Sequence, residues 1–461
     1  MKTILVPVYS NFFARNFLYT RAREIITGHG GIRLVLLVPS AKLQYYQKEF
    51  SAPAVVIDVL PGLERGRVED FFSLVETSSI HTVTARMIHF WRLMRHASWP
   101  RFLSHLPRFA FCRICWRLGK YGWWRRAIRR AYASLPSATF APILEKYRPD
   151  LVFCPTMLYD EPRLLKEAGL RRIRTAGMIL SWDNLYSKTF LRVLPDHLIV
   201  QTDHIRAQAQ RLADYPARRV SVVGVPQYDR HFNRDGIEPR ESFLKKLGGD
   251  PRKKLIVYAF SGKPGFEIEW DIVGLLADAI RRGKVDGEVQ VLLRPYPRYD
   301  FPVHKLEAIR GRYGFLVSQS AAHPESGPAG WDFDPDAMAL AANTLAHADA
   351  IVNMFSTFFI EGAIFDKPLI GVAFDGASGR SYWNSAVRFF DWDHLRELKP
   401  LEGIRIVKSE GEFIEALNAS LRSPGQLREG RQRIAAQQCQ FTDGRSGERL
   451  AAALLAALES V

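Results

Sequence analysis

The sequence predicts an α/β protein of two doubly wound domains, each a parallel sheet covered by helices, facing each other across a cleft. Three observations predict it. Short, β-branched apolar runs recur and alternate with longer helical patterns. These runs are apolar at nearly every residue, as in strands covered on both faces and joined by right-handed crossovers. The pattern halts at a polar stretch rich in Gly and Pro and then restarts. A chain of 461 residues is long enough for two domains of ordinary size.

In order, the first half offers strands at Thr3–Val8, Arg33–Val38 and Ala54–Val59, then, after a long interruption, at Asp150–Pro155, Thr175–Leu180, His197–Thr202 and Val220–Val225. "PQYDRHFNRDGIEPRESFLKKLGGDPRKK" reads as an interdomain linker with one short helix. Strands resume at Lys254–Phe260, Val289–Pro295, Phe315–Ser320, Ala350–Phe355, Pro368–Phe374 and Arg405–Ser409, and an Ala/Leu-rich helix covers about Arg445–Leu458. "AGWDFDPDAMAL" leads into a helix capped near Asp334 or Asp336. The expected division is 1–230 for the first domain, 231–445 for the second and 446–461 for a C-terminal helix. A cleft between such halves faces the carboxyl ends of both sheets.

Composition narrows the class. The chain is 47% hydrophobic and 24% charged, as in a folded protein. No secretory signal is expected from "MKTILVPVYSNFFARN", and no run reaches the ~18–20 apolar residues that span a bilayer. Four cysteines make no disulfide framework, which suits a reducing cytoplasm; Cys112-x-x-Cys115 has no second pair or His cluster to complete a zinc site and is read as packing. The net charge of +16 is uneven: residues 1–235 hold 36 Lys/Arg against 18 Asp/Glu, and the remainder 28 against 30. An excess confined to one half points to an anionic partner there.

The interruption, a helical insertion at about 80–135, concentrates this charge. From Arg86 to Arg130 there are twelve Lys/Arg, no Asp/Glu, and five of the ten tryptophans, with Pro100 and Pro107 as breaks. Basic and aromatic residues at helical spacing suit helices lying on an anionic membrane surface, with Arg92, Trp99, Trp116, Trp123, Trp124, Arg125 and Arg126 as contacts. An insertion that packs its aromatics inward, or a single-strand nucleic-acid binder, has the same composition. The membrane reading is preferred, and no nucleic-acid partner is expected.

Candidate chemistry gathers where strands end. In "NMFSTFFIEGAIFDKP", Ser356 and Thr357 fall at a strand-to-helix turn, where free N–H groups and the helix dipole favour an anion. The plain alternative is an N-cap. Glu361 follows, able to accept from a ribose diol; a capping box would need its carboxylate at Phe359 or Ile360, so the spacing disfavours one. "YAFSGKPGFE" supplies Ser261, Gly262 and Lys263 for phosphate contact, although the Walker pattern is absent. Arg294 ends a buried strand in "LLRPYPRYD", followed by Tyr296 and Arg298, and a buried arginine needs an anionic partner. In the first half, "SWDN" offers Asp183 as a general base beside Trp182 and Asn184, or else an Asx-turn or N-cap. Asn11, Arg15 and Asn16 follow the first strand as acceptor contacts, and Asp229 falls where the first half closes.

In "SWDN", "VVGVPQYD", "RPYPR", "ADAIVNMFSTFFIEGAIFDKPLIGVAFD" and "FTDGRSGERLAAAL" the chain resembles bacterial glycosyltransferases of the GT-B fold, built from two Rossmann-like domains. Its nearest likeness is to surface-polysaccharide (capsule or lipopolysaccharide) transferases and the CDP-glycerol glycerophosphotransferase group, over most of the chain outside residues 60–145. The resemblance implies a nucleotide-sugar donor on the second domain and a lipid-linked or glycan acceptor on the first. By it, Ser356 and Thr357 bind donor phosphate and Glu361 the ribose or sugar. Tyr296 stands where the family carries the histidine of a "HP" dipeptide. The resemblance further implies no cofactor, no bound metal, and a cytoplasmic enzyme peripheral on the inner face of the cell membrane. Transfer of an alditol phosphate from a CDP-alditol, and a non-catalytic membrane-associated scaffold, are the alternatives.

Overall fold

The computed structural model describes residues 1–9, 11–62, 66–95, 98–262, 266–296, 302–319, 335–376 and 379–459. The chain forms two compact units: Met1–Asp229 with Gln438–Val461, and Arg230–Gln437.

The first unit is built on seven strands: β1 Lys2–Pro7, β2 Ile32–Val38, β3 Val55–Val59, β4 Leu151–Cys154, β5 Arg174–Met178, β6 His197–Val200 and β7 Val220–Val222. They lie in the order β3-β2-β1-β4-β5-β6-β7, and each pairs with its neighbours in parallel. The apolar runs are explained by two cores, one on each face. Ile4 and Val6 enter one with Leu34 and Leu36, while Leu5 enters the other with Val35 and Leu37. Alternation along a strand sends neighbouring side chains to opposite faces, so both faces must be apolar.

The second unit carries six strands: β8 Lys254–Ala259, β9 Val289–Arg294, β10 Leu316–Ser318, β11 Ala350–Asn353, β12 Leu369–Val372 and β13 Arg405–Val407. Their order is β10-β9-β8-β11-β12-β13, again all parallel. Thirteen of thirteen expected strand runs are therefore strands, which decides the fold class as two parallel-sheet, Rossmann-like α/β units.

Three local expectations are corrected. The polar stretch after β7 holds not one helix but a 3-10 turn, Pro226–Tyr228, and two helices, Asp229–Asn233 and Arg240–Lys246. It is also anchored: Arg240 donates to the carbonyls of Pro251 (3.2 Å) and Lys253 (2.8 Å) and to Asp349 (2.9 Å). Pro107 does not break its helix, Trp99–Leu118. Leu103 and Pro107 are both exposed, so the carbonyl four residues back that loses its donor lies on the solvated side.

The third correction concerns the insertion, whose helices are Val83–Met94, Trp99–Leu118 and Gly122–Ala133, packed with Arg67–Ser78. Trp116 donates its indole N–H to the Thr82 carbonyl at 2.8 Å, and Trp124 to Ser79 Oγ at 2.9 Å. Both rings pack on the buried cluster Val75, Ile80, Ala85, Ile128 and Phe190. Arg125 is buried, forked onto Asp214 and bonded to the Gly119 carbonyl at 2.7 Å. These three residues, expected at a membrane, point into the protein. An indole N–H and a guanidinium can be buried only with partners, and Thr82, Ser79 and Asp214 supply them. Gly119 makes the close approach possible: a Cβ there would lie 1.8 Å from the Ser79 carbonyl oxygen. Trp99 (69%) and Trp123 (54%) remain exposed, as do Arg92 and Arg126.

Candidate active site

In each sheet the strand order reverses at one place, between β1 and β4 and between β8 and β11. Loops leaving the carboxyl ends of strands diverge there, which opens a crevice where open α/β sheets bind ligands.

In the second unit, the loop after β8 carries Ser261 and Gly262, and that after β11 carries Ser356 and Thr357. A polar network joins them. Ser261 Oγ accepts from the Phe355 N–H (3.2 Å) and donates to Asn353 Oδ1 (3.4 Å), and Asn353 Nδ2 donates to the Ala259 carbonyl (2.6 Å). The Ser261 N–H donates to Glu269 Oε1 at 2.7 Å from the helix Phe266–Arg281. Burial pushes the Glu269 carboxyl up to about 8. Gly262 has φ 106°, open to glycine and strained for other residues. Arg294, at the end of β9, holds its guanidinium 4.5 Å from the Phe358 ring centroid, and half-buried Tyr296 follows. The structure thus brings Ser261, Gly262, Arg294, Ser356 and Thr357 to the ends of three adjacent strands. Lys263, Arg298 and Asp334 lie outside the described residues.

The opening of the helix Phe358–Ile364 divides its polar residues differently from expectation. Ser356 Oγ accepts from the Phe358 N–H at 3.1 Å, the capping role weighed as the plain alternative. Thr357 donates to Glu361 Oε1 at 3.2 Å, and Glu361 Oε2 lies 3.4 Å from His231 Nε2. Glu361 is therefore buried among partners of its own unit.

In the first unit, Asn11 opens the short helix Asn11–Phe13, and Arg15 Nε donates to Asn16 Oδ1 at 3.1 Å, so this pair is partly self-satisfied. Past β5, Trp182 and Asp183 are half-buried and Asn184 is buried. Asp183 stands at the N-cap of the helix Asn184–Ser187 without a side-chain capping bond; its Oδ2 takes Lys188 Nζ at 2.5 Å. Asp229 accepts from the Ser446 (2.9 Å) and Gly447 (2.7 Å) N–H groups, capping the C-terminal helix Ser446–Glu459.

Sequence reasoning missed the supports behind these loops. Glu161, buried and pushed up to about 8, accepts from the Thr156 and Met157 N–H groups (3.0 and 2.6 Å) and shapes the loop after β4. His231, Glu269 and Asn353 were also missed. The available signal for Asn353 was a polar residue inside an otherwise apolar run, "AIVN"; Glu269, between Glu267 and Asp271 in "FEIEWDIV", carried no such mark. Among the described residues, no group of three or more His, Cys, Asp or Glu is placed to hold a metal, and no helix is long and apolar enough to cross a membrane.

A search of curated proteins finds no match to the chain. Solved structures resemble it in fold at low identity. A glycosyltransferase from Rickettsia africae is 9% identical, with all of this chain and 99% of that one covered and a TM-score of 0.53. A UDP-GlcNAc 2-epimerase from Neisseria meningitidis, bound to UDP-GlcNAc, is 10% identical, with 99% and 100% covered and a TM-score of 0.54. The wall teichoic acid polymerase TagF is 10% identical, with 99% and 88% covered and a TM-score of 0.51. A family profile described as CDP-glycerol:poly(glycerophosphate) glycerophosphotransferase matches residues 184–456. That span runs from Asn184, beside the candidate base, through the second sheet and into the C-terminal helix, more than half of the chain; the protein belongs to this transferase family, with the GT-B fold.

Proposed function

We propose that the protein transfers a group from a nucleotide-activated donor, held by the second unit, to a hydroxyl of a growing surface polymer, held by the first. One observation carries the reading. Ser261, Arg294 and the Ser356–Thr357 turn converge on the carboxyl ends of β9, β8 and β11, beside the reversal of strand order. Small residues there let backbone N–H groups approach phosphate, and Arg294 supplies charge. Glu361, held by Thr357 and His231, positions this turn or accepts from the donor ribose.

Family membership favours transfer of an alditol phosphate from a CDP-alditol. The acceptor oxygen attacks the phosphorus that bears the alditol, its proton passes to Asp183, and CMP departs with the bridging oxygen. Sugar transfer is the second reading, favoured by Tyr296 where the family carries histidine. There the acceptor oxygen attacks the anomeric carbon and a nucleoside diphosphate departs. Arg294 stabilises the departing phosphate in both.

The exposed Trp99, Trp123, Arg92 and Arg126 support docking of the insertion on an anionic membrane surface, where lipid-linked acceptors are found. The test is the nucleotide released during turnover with a lipid-linked acceptor: CMP from CDP-glycerol supports the first reading, and UDP or another diphosphate from a nucleotide sugar the second. Asp183→Ala is expected to lower kcat by about a hundredfold or more while donor affinity holds. Normal turnover in that variant removes Asp183 as the base.

A further inference from the structure

The first unit has a pocket of about 110 Å3 that no sequence motif announced, lined in part by Lys188, the ion-pair partner of Asp183. Its walls come from the helix Arg67–Ser78, the loop after β4 and the segment Lys188–Val193. Two properties set it apart. The first is backbone strain: Met157, Tyr159 and Leu191 line it with φ of 55°, 56° and 55°. Long side chains rarely adopt this left-handed region, and such strain collects at binding sites. Bonds hold the strained segments in place, from the Met157 N–H to Glu161 (2.6 Å) and from Arg129 Nε to the Leu191 carbonyl (3.0 Å).

The second property is charge that is already balanced. Arg192 lies 3.1 Å from Glu69 and 3.3 Å from Glu76, and Lys188 lies 2.5 Å from Asp183. With Asp160, three carboxylates line the pocket against these two cations. Arg163 also lies 3.4 Å from Glu69, so each of these cations already has a carboxylate partner. An entering anion would have to displace one, whereas hydroxyl groups would find carboxylate acceptors and the hydroxyls of Ser73 and Thr77.

We infer that this pocket seats the hydroxyl-bearing end of the acceptor, a neutral sugar or polyol unit rather than a phosphate. Lys188 joins the pocket to Asp183, so a seated unit presents its hydroxyls next to the candidate base. The inference rests on the transferase reading, and specifically on the first unit holding the acceptor.

The test is saturation-transfer NMR on the full chain with three probes: glycerol, methyl N-acetylglucosaminide and inorganic phosphate. Glycerol or the glycoside is expected to receive saturation and phosphate to show no binding. Thr77→Trp and Ser73→Leu, which fill the pocket, are expected to weaken the bound probe by about tenfold with unchanged circular dichroism. Hydrogen exchange on the wild type, which needs no variant, is expected to slow at 157–160 and 188–193 when the probe is added. The inference is overturned if neither hydroxyl probe binds, if folded pocket-filling variants bind as well as wild type, if exchange there is unchanged, or if phosphate binds instead. A parallel thermal-shift series with CDP and UDP separates the two readings. Nucleotide stabilisation without probe binding removes the pocket alone, and probe binding without nucleotide stabilisation removes the transferase reading and, with it, the acceptor role, leaving a pocket that binds a sugar or polyol.

Discussion

Glu161 and Glu269 do the same work in the two units: each is fully buried and accepts from the backbone of a loop that leaves the carboxyl end of a central strand, Glu161 from two N–H groups and Glu269 from one. Both are pushed up to about 8, burial being the largest cause. The sign follows from linkage. Between the ordinary carboxylate range and about pH 8 the folded state binds a proton that the unfolded state has released, so stability falls as pH rises through that window. Below the unfolded value this contribution is fully present. Replacing the carboxylate by an amide removes the titration and retains an acceptor for Ser261. Urea midpoints of wild type and Glu269→Gln, measured at about pH 5 and about pH 8.5, are expected to diverge, with the wild type losing more stability at the higher pH. Equal pH dependence in the two proteins refutes the assignment. Asp183 differs in kind: half-buried and paired with Lys188, it keeps access to solvent.

The helical insertion shows how one composition serves two environments. Trp116 and Trp124 carry hydrogen-bonded indoles on an inner face, while Trp99 and Trp123 stand outward with Met94, Leu103, Ile114 and Tyr121 also exposed. Large apolar residues on a basic surface are the pattern of a surface that meets lipid. The two pairs are expected to separate cleanly in experiment. Trp99→Ser with Trp123→Ser is expected to weaken pelleting with phosphatidylglycerol vesicles by about tenfold while changing stability by less than about 0.5 kcal/mol. Trp116→Ala is expected to cost about 3 kcal/mol in urea unfolding, because it removes packing and leaves the Thr82 carbonyl without its donor. Equal vesicle binding after the first change rules out these residues as the docking surface.

At the level of the whole molecule, the chain leaves the first unit at Asp229 and returns to it at Gln438. The return is stitched by Asp229, whose carboxylate takes the first N–H groups of the helix Ser446–Glu459 and is raised above its ordinary range chiefly by burial. Leu450, Leu454 and Leu458 of that helix complete a core lined by β1 and β2. The Arg174 guanidinium closes its other end on the Leu458 carbonyl at 2.7 Å. Gly224, at φ 84°, admits the turn: a Cβ there would lie 2.3 Å from Ser446 Oγ. Asp229→Ala is expected to cost about 1–2 kcal/mol in the unfolding of the first unit, read by urea titration. An unchanged midpoint shows that the cap contributes nothing.

The fold was legible because a strand buried on both faces leaves an unbroken apolar run, and thirteen such runs survive intact in the sequence. The strand-end positions of Ser261, Arg294 and Ser356 were legible for the same reason, since a site in an open α/β sheet lies where strands stop. What each polar group touches was not. Whether Ser356 caps a helix, whether Glu361 faces His231, and whether Asp183 meets Lys188 depend on rotamers and on loops brought together from distant sequence. The same holds for Trp116 and Arg125, which the local pattern could not distinguish from Trp99 and Arg126. Their inward placement required Thr82 and, 89 residues away, Asp214, and only the folded chain puts a partner there. Periodicity along the chain therefore decided the architecture, while the pairing of buried polar groups, which is non-local, was decided by tertiary structure.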